Sequence, residues 1–343
     1  MGEKMNKHIK SVGIAGIGSY VPHKVLTNLD LEKMVDTSDE WIEKRIGIKE
    51  RRIAEPDEFA SDMGVKALLD ACEKSSIKLE EIDLLVCGSN TPDYNSPQMA
   101  ALILNKAGMH NTVAIDIRAG GCPGGVFTVD AAAQYVATDR YKTVAVVNTE
   151  LNSSILNWED RTTCVIMGDA AACVILRACK PEKGILHTIL CNDPSGYFVG
   201  YIPAGGSVIP TSLETLENKM GYFHMDGRAI WDFATNKVPE LIKDLSTETG
   251  YALNDVDLYI SHQANLNIIK EIMKKIEVPF SKTFTNIEKY GNTSSASVLL
   301  AICEAVQEGR LNKDDLIFTF AFGAGLSYGA TAIRWCGPED FLD

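Results

Sequence analysis

No apolar run in the 343-residue chain approaches the roughly 20 residues that a helix needs to cross a bilayer. Residues 1–10 are polar and lack the apolar centre of a signal peptide. Together these absences predict a cytoplasmic protein with no membrane partner. The nine cysteines include no CxxC pair, and their odd number and wide spacing argue against a disulfide framework or a structural zinc site. Cys72, Cys87, Cys164, Cys173 and Cys303 lie among aliphatic neighbours, where a thiol packs as a small, inert hydrophobe. The six histidines show no metal-ligand spacing, so no metal is expected. Positive charge is also scarce: 33 Lys and Arg face 46 Asp and Glu, for a net charge of −13. Such a chain repels a phosphate backbone, and nucleic acid is not expected as a partner. No Ser/Pro-rich linker or low-complexity tract divides the sequence.

What is present is a composition of 45% hydrophobic and 23% charged residues, that of a soluble globular protein long enough for a large core or two fused domains. Apolar runs at 12–17, 84–87, 113–117, 143–147 and 171–176 read as buried strands, with helical stretches such as 60–75 and 127–137 between them. Continuous aliphatic strands imply a sheet covered on both faces, hence an α/β protein. A faint duplication runs through the chain. Asp83-Leu-Leu-Val-Cys-Gly-Ser-Asn90 is echoed by Asp257-Leu-Tyr-Ile-Ser-His-Gln-Ala-Asn265, and the strand and Gly-rich turn of 112–122 by 282–295. Each half closes on another strand, at 143–147 and 316–320. Generic βαβ units produce similar patterns by chance. If the duplication is real, residues 1–180 and 181–343 form two halves whose equivalent turns face one site. That arrangement would bring Cys122, His262 and Asn292 together.

Cys122 stands in Gly120-Gly121-Cys122-Pro123-Gly124-Gly125, between a strand and a helix. Pro123 suits the first helical position, and a thiol there faces the positive end of a helix dipole, which favours thiolate. A packed core thiol is the alternative. His262 follows a strand and precedes a helix with an apolar face at Leu266, Ile269, Met273 and Ile276. The carboxyl end of a strand is where α/β sheets hold ligands; an exposed turn histidine is the alternative. Asn292 lies in a Gly-Asn turn, where asparagine is ordinary. The Gly323-Ala324-Gly325 turn offers backbone N–H groups to an oxyanion, or is simply a turn. Thr37-Ser38-Asp39-Glu40 fits a capping box opening a short helix on which Trp41 and Arg45 share a face. An indole and a guanidinium there suit a flat base, against the plainer reading of a packed Trp and a surface Arg.

Six segments together resemble the β-ketoacyl-acyl carrier protein synthase III family, over nearly the whole chain. They are Leu31-Glu-Lys-Met-Val-Asp-Thr-Ser-Asp-Glu-Trp-Ile42, Arg45-Ile-Gly-Ile48, Gly168-Asp169-Ala170, His262-Gln-Ala-Asn265, Gly291-Asn-Thr-Ser294 and Ala321-Phe-Gly-Ala-Gly325. The resemblance implies a thiolase-like five-layered αβαβα fold, a homodimer, and no cofactor beyond acyl-CoA as substrate. It implies an acyl-Cys122 intermediate and a decarboxylative condensation with malonyl-acyl carrier protein or malonyl-CoA, with His262 and Asn292 stabilising the enolate. By the same matching, backbone N–H groups of Cys122 and Ala324 form an oxyanion hole. Thr37, Trp41, Arg45, Arg161 and Asn265 hold CoA, Ser96 and Met167 bound the acyl pocket, and Gln263, Asn267, Lys274 and Lys275 face the carrier protein.

The chain departs from that pattern at several points. Cys122 lies six residues after Asp116 rather than five, and Pro123 and Gly125 replace the usual small residue and Phe. Aligning Gly121 with the nucleophile would imply a dead enzyme; Cys122 keeps the family's distance to Gln134-Tyr135, so the extra residue belongs among the preceding glycines. Asn267 and Asp232 stand where cations are common, which weakens steering of an acidic carrier. Ser96-Pro97 replaces a bulky Phe and admits a longer or wider primer. These changes fit fatty acid initiation, and also a specialised ketide, quinolone or resorcinol pathway. A non-decarboxylating acyltransferase and a non-catalytic scaffold are the remaining alternatives.

Overall fold

A computed structural model describes residues 9–118 and 121–342. Most of the polar 1–10 segment, and Gly120 of the cysteine turn, lie outside the described residues. The chain opens with β1 (Ser11–Tyr20), a hairpin of β2 (Lys24–Thr27) and β3 (Glu50–Ile53) enclosing α1 (Asn28–Leu31) and α2 (Asp39–Arg45), and then α3 (Ala60–Ser75). There follow β4 (Leu84–Gly88), α4 (Met99–Ala107), β5 (Val113–Asp116), α5 (Gly124–Ala137), β6 (Val144–Glu150) and β7 (Ala170–Cys179). The second half runs through β8 (Gly184–Asn192), the short pair β9 (Gly200–Tyr201) and β10 (His224–Met225), with α6 (Leu213–Glu217) between them, and the long α7 (Gly227–Thr249). It ends with β11 (Leu258–Ser261), α8 (Leu266–Lys275), β12 (Thr283–Phe284), α9 (Ile287–Tyr290), α10 (Ser297–Gln307), β13 (Leu316–Gly323) and β14 (Ser327–Arg334).

Two five-stranded sheets carry the fold, ordered β1-β7-β6-β4-β5 and β12-β11-β13-β14-β8. Their pairing repeats: β4 lies parallel to β5 and β6, as β11 does to β12 and β13. Antiparallel β7 and β1 complete one sheet, and β14 and β8 the other. The duplication seen in sequence is therefore one of topology, with β7 ending at Cys179 and β8 starting at Gly184.

Val126, Val129 and Val136 of α5 and Val298, Leu299 and Ile302 of α10 pack in one core with residues of both sheets. These two helices form the middle layer. Met63, Leu68 and Ile103 of α3 and α4 cover the outer face of the first sheet. Leu241, Leu245, Ile269 and Met273 of α7 and α8 cover the second. The fold is the five-layered αβαβα arrangement of the thiolase class. Its consequence for chemistry is geometric: α5 and α10 start side by side between the sheets, each opening with polar residues of a turn.

Candidate active site

Cys122 is half-buried and directly precedes α5, whose cap is Pro123. The helix thus starts at Gly124, one residue later than a proline at the first helical position requires. Gly121 holds a φ of +75°, a left-handed conformation open to glycine. The next two glycines serve contact. A β-carbon on Gly124 would stand 2.8 Å from Ser295 Cβ, and one on Gly125 would stand 2.8 Å from the Ser295 carbonyl oxygen. The start of α5 is thereby pressed onto the turn leading into α10. From the other side, a β-carbon on Gly323 would meet Cys122 Cβ at 2.9 Å, so the β13–β14 turn that carries Ala324 lies against the cysteine.

Asn292 is 5% exposed and is held by its backbone, whose N–H donates to Ile166 at 2.9 Å and whose C=O accepts from Gly168 at 3.0 Å. Its Oδ1 accepts from the Ser294 N–H at 2.8 Å, which leaves Nδ2 as the free donor. The polar side chains of Asn292 and Ser294 lie beside the Cys122 thiol and favour its ionised form. Burial pushes that thiol up to about 11, and these donors pull in the opposite direction without winning. The helix start does not produce the lowered pKa expected from sequence, because desolvation of the sulfur outweighs it. At neutral pH the Cys122 side chain is therefore a thiol.

His262 is buried, and its Nδ1 lies 2.6 Å from Ser297 Oγ, at the first residue of α10. That hydroxyl also accepts from the Gln263 N–H at 3.2 Å, which anchors it beside the ring and leaves Nε2 as the ring nitrogen facing away from α10. Burial pushes the imidazole pKa down to about 3, which keeps the ring neutral. Phe322 meets the ring edge-on at 5.6 Å, one residue before the glycine that packs on Cys122. Thiol, carboxamide and imidazole are thus tied to one junction of α5, α10 and β13. Sequence reading missed Ser294 and Ser297, although both sit in the Asn-Thr-Ser-Ser-Ala-Ser run. Only the contacts distinguish them from turn residues.

A cavity of about 870 Å³ opens nearby, lined among others by Trp41, Arg45, Ile166, Phe198, Arg228 and Asn265. Its Ile166 wall is bonded to Asn292, so the Asn292 turn backs the cavity. Trp41 is partnered by Arg161, whose guanidinium lies 5.6 Å from the ring centroid, rather than by Arg45. Ser38 caps α2 by accepting from the Trp41 N–H at 3.1 Å, a single-sided cap in place of the expected box. Thr37 is half-buried, and its hydroxyl has no partner among the described residues.

The docking residues fare unevenly. Gln263 is 1% exposed and bonded to Ser261 and Asn286, so it offers nothing to a protein surface. Asn267 donates to the carbonyls of Lys44 and Arg45 at 3.0 and 2.9 Å and ties α8 to the end of α2. Lys275 is similarly engaged by Thr235 and Asn236 of α7, while Lys274 is exposed. Met167 is buried and bridged to Asn292, whereas Ser96 is exposed on the β4–α4 connection. Among the described residues no cluster of His, Cys, Asp or Glu is arranged to hold a metal, and no helix is long and apolar enough to cross a membrane.

Residues 115–194 match a family model described as 3-oxoacyl-[acyl-carrier-protein] synthase III, and residues 247–335 match its C-terminal counterpart. The β-ketoacyl-[acyl-carrier-protein] synthase III of Symbiobacterium thermophilum is 43% identical, over 95% of this chain and 99% of that one. The chain belongs to the β-ketoacyl-acyl carrier protein synthase III family. It is accordingly an acyltransferase of the ketosynthase type, which forms a β-ketoacyl thioester by condensation. The 3-oxoacyl-[acyl-carrier-protein] synthase III of Aquifex aeolicus superposes with a TM-score of 0.88 at 36% identity, covering 95% of this chain and 100% of that one. The priming β-ketosynthase of the R1128 polyketide pathway superposes with a TM-score of 0.90 at 29% identity, covering 98% and 100%.

Proposed function

We propose that this synthase works by two half-reactions on Cys122. In the first, Cys122 Sγ attacks the carbonyl of an acyl-CoA, the C–S bond to CoA breaks, and the thiol proton leaves with CoA as CoASH. Backbone N–H groups of Cys122 and Ala324 receive the oxyanion. In the second, malonyl-acyl carrier protein or malonyl-CoA loses carbon dioxide, and the electron pair passes into an enolate. His262 Nε2–H and Asn292 Nδ2–H donate to its oxygen, charge stabilisation that neutral donors supply without a proton transfer. The carbanion attacks the acyl-Cys122 carbonyl, the β-ketoacyl thioester departs, and Cys122 regains a proton from solvent.

The observation that carries this reading is the donor set beside the thiol. Asn292 has its oxygen occupied by Ser294, and Ser297 holds His262 at Nδ1, so Asn292 Nδ2 and His262 Nε2 are the atoms left for substrate. Trp41, Arg45, Arg161, Thr37 and Asn265 would grip the nucleotide end of CoA at the cavity mouth, with Arg161 moving off the Trp41 ring to admit the adenine. The nucleophile comes from residues 1–180 and the donors from 181–343. Exposed Ser96 and Tyr94 suit burial by a second copy, which makes a homodimer the working assembly, with Ser96 bounding the partner's acyl tunnel. An enzyme drawing on acyl-CoA belongs in the cytoplasm. The small Ser96 favours a wider primer than acetyl, and with it a specialised pathway as the second reading.

Intact-protein mass spectrometry after incubation with a panel of acyl-CoAs tests the reading. One acyl adduct is expected, lost in Cys122→Ala. Asn292→Ala is expected to acylate and yet fail to decarboxylate malonyl thioesters. No adduct with any primer would return the chain to a scaffold role.

A further inference from the structure

Glu150 closes β6 with none of its surface exposed. Its carboxylate is met by neutral donors: Ser295 Oγ at 2.5 Å, Thr91 Oγ1 at 2.8 Å, and Asn90 through its Nδ2 at 2.9 Å and its N–H at 3.1 Å. No cation is among these partners. Burying a carboxylate this way is costly, and hydrogen bonds only partly offset it. Burial accordingly raises its pKa. The titratable groups that feel its charge are the Cys122 thiol at the start of α5 and the Cys87 thiol of β4, which also faces Asp93 and Asp116.

Ser295 is the informative partner. It is buried in the turn between Asn292 and Ser297, and the start of α5 packs directly on its Cβ and carbonyl oxygen. A single residue therefore joins three pieces: the end of β6 through its hydroxyl, the helix start behind the nucleophile through its Cβ and carbonyl, and the turn that carries Asn292.

On the two-step reading above, we propose that Glu150 is a positioning residue. Through Ser295 it holds the 292–297 turn against the helix that follows Cys122, so that carboxamide and sulfur keep one geometry through acylation and decarboxylation. When ionised, its carboxylate has a second effect, opposing ionisation of Cys122 across Ser295. The two effects have opposite signs, which general loosening of the fold does not reproduce.

The test compares wild type, Ser295→Ala and Glu150→Gln in the full chain, using malonyl-CoA decarboxylation and alkylation of Cys122 by iodoacetamide. In Ser295→Ala the decarboxylation kcat is expected to fall on the order of tenfold with KM nearly unchanged, since sub-ångström misplacement of a donor acts on the transition state. In Glu150→Gln decarboxylation slows while alkylation at pH 8 speeds up severalfold. A Ser295→Ala enzyme matching wild type overturns the proposal. So does a folded Glu150→Gln enzyme alkylated at the wild-type rate; if that variant does not fold, Ser295→Ala decides. A wild type that takes no acyl group removes the functional reading and this one together, whereas wild-type acylation with an unaffected Ser295→Ala removes this one alone.

Discussion

At the scale of the residue, the site is a study in donors left over. Asn292 spends its oxygen on Ser294, and Ser297 engages Nδ1 of His262, so the amide Nδ2 and the ring Nε2 are left to face substrate. Two neutral N–H groups suit a developing enolate, and the depressed pKa of His262 keeps that arrangement down to about pH 3. Cys122 pays for its setting in reactivity. With burial pushing the thiol up to about 11, the thiolate fraction grows with pH throughout the neutral and mildly alkaline range. Alkylation of Cys122 is expected to accelerate nearly tenfold per pH unit from pH 7 to 9, read by mass spectrometry at short times. A plateau below pH 8 would mean that the helix dipole, and not desolvation, governs the sulfur.

At the scale of the element, the contact between α5 and the turn before α10 decides the geometry. Family members usually carry Phe where this chain has Gly125. Here even a β-carbon would meet the Ser295 carbonyl oxygen at 2.8 Å, so helix and turn approach more closely than any side chain permits. Gly125→Ala is expected to destabilise by about 1–3 kcal/mol, the usual cost of overpacking. It should lower both the thermal midpoint and the decarboxylation rate while leaving Cys122 in place. An unchanged melting curve would show that the turn yields freely. The helix α5 itself was legible from 127 onward; its first turn was not, because Pro123-Gly-Gly reads locally as loop and becomes helix only when packed between two sheets. Likewise α3 at 60–75 matched its sequence pattern to the residue, since its apolar face is set by spacing alone.

At the scale of the whole molecule, the two sheets repeat one strand order, and the cavity mouth is assembled from both halves: Trp41 and Arg45 from α2, Arg228 from α7, Asn265 at the start of α8. Asn265 and Asn267 bond the carbonyl end of α2, so the two lips are hydrogen-bonded to each other. Because the cavity lining includes Trp41 and not Cys122, Trp41→Ala should raise KM for acyl-CoA roughly five- to tenfold with kcat little changed, the signature of lost uniform binding. A fall in kcat at constant KM would place Trp41 closer to the chemistry.

The duplicated strand pattern, the middle-layer helices and the convergence of Cys122, His262 and Asn292 on one junction were readable from the chain, because hydrophobic periodicity and short motifs are local properties. Gln263 was misread as a surface residue, and the bonds of Asn267 to the end of α2 went unseen, since a polar side chain in a turn shows nothing of its partners until the turn is packed. The same limit hid Ser297, Ser295 and Glu150, whose bonds span 34 to 145 positions. Which residues could react was written in the order of amino acids; which nitrogen of His262 is left free, which way Asn292 faces and how far Cys122 resists ionisation depended on burial and on neighbours brought in from the other half.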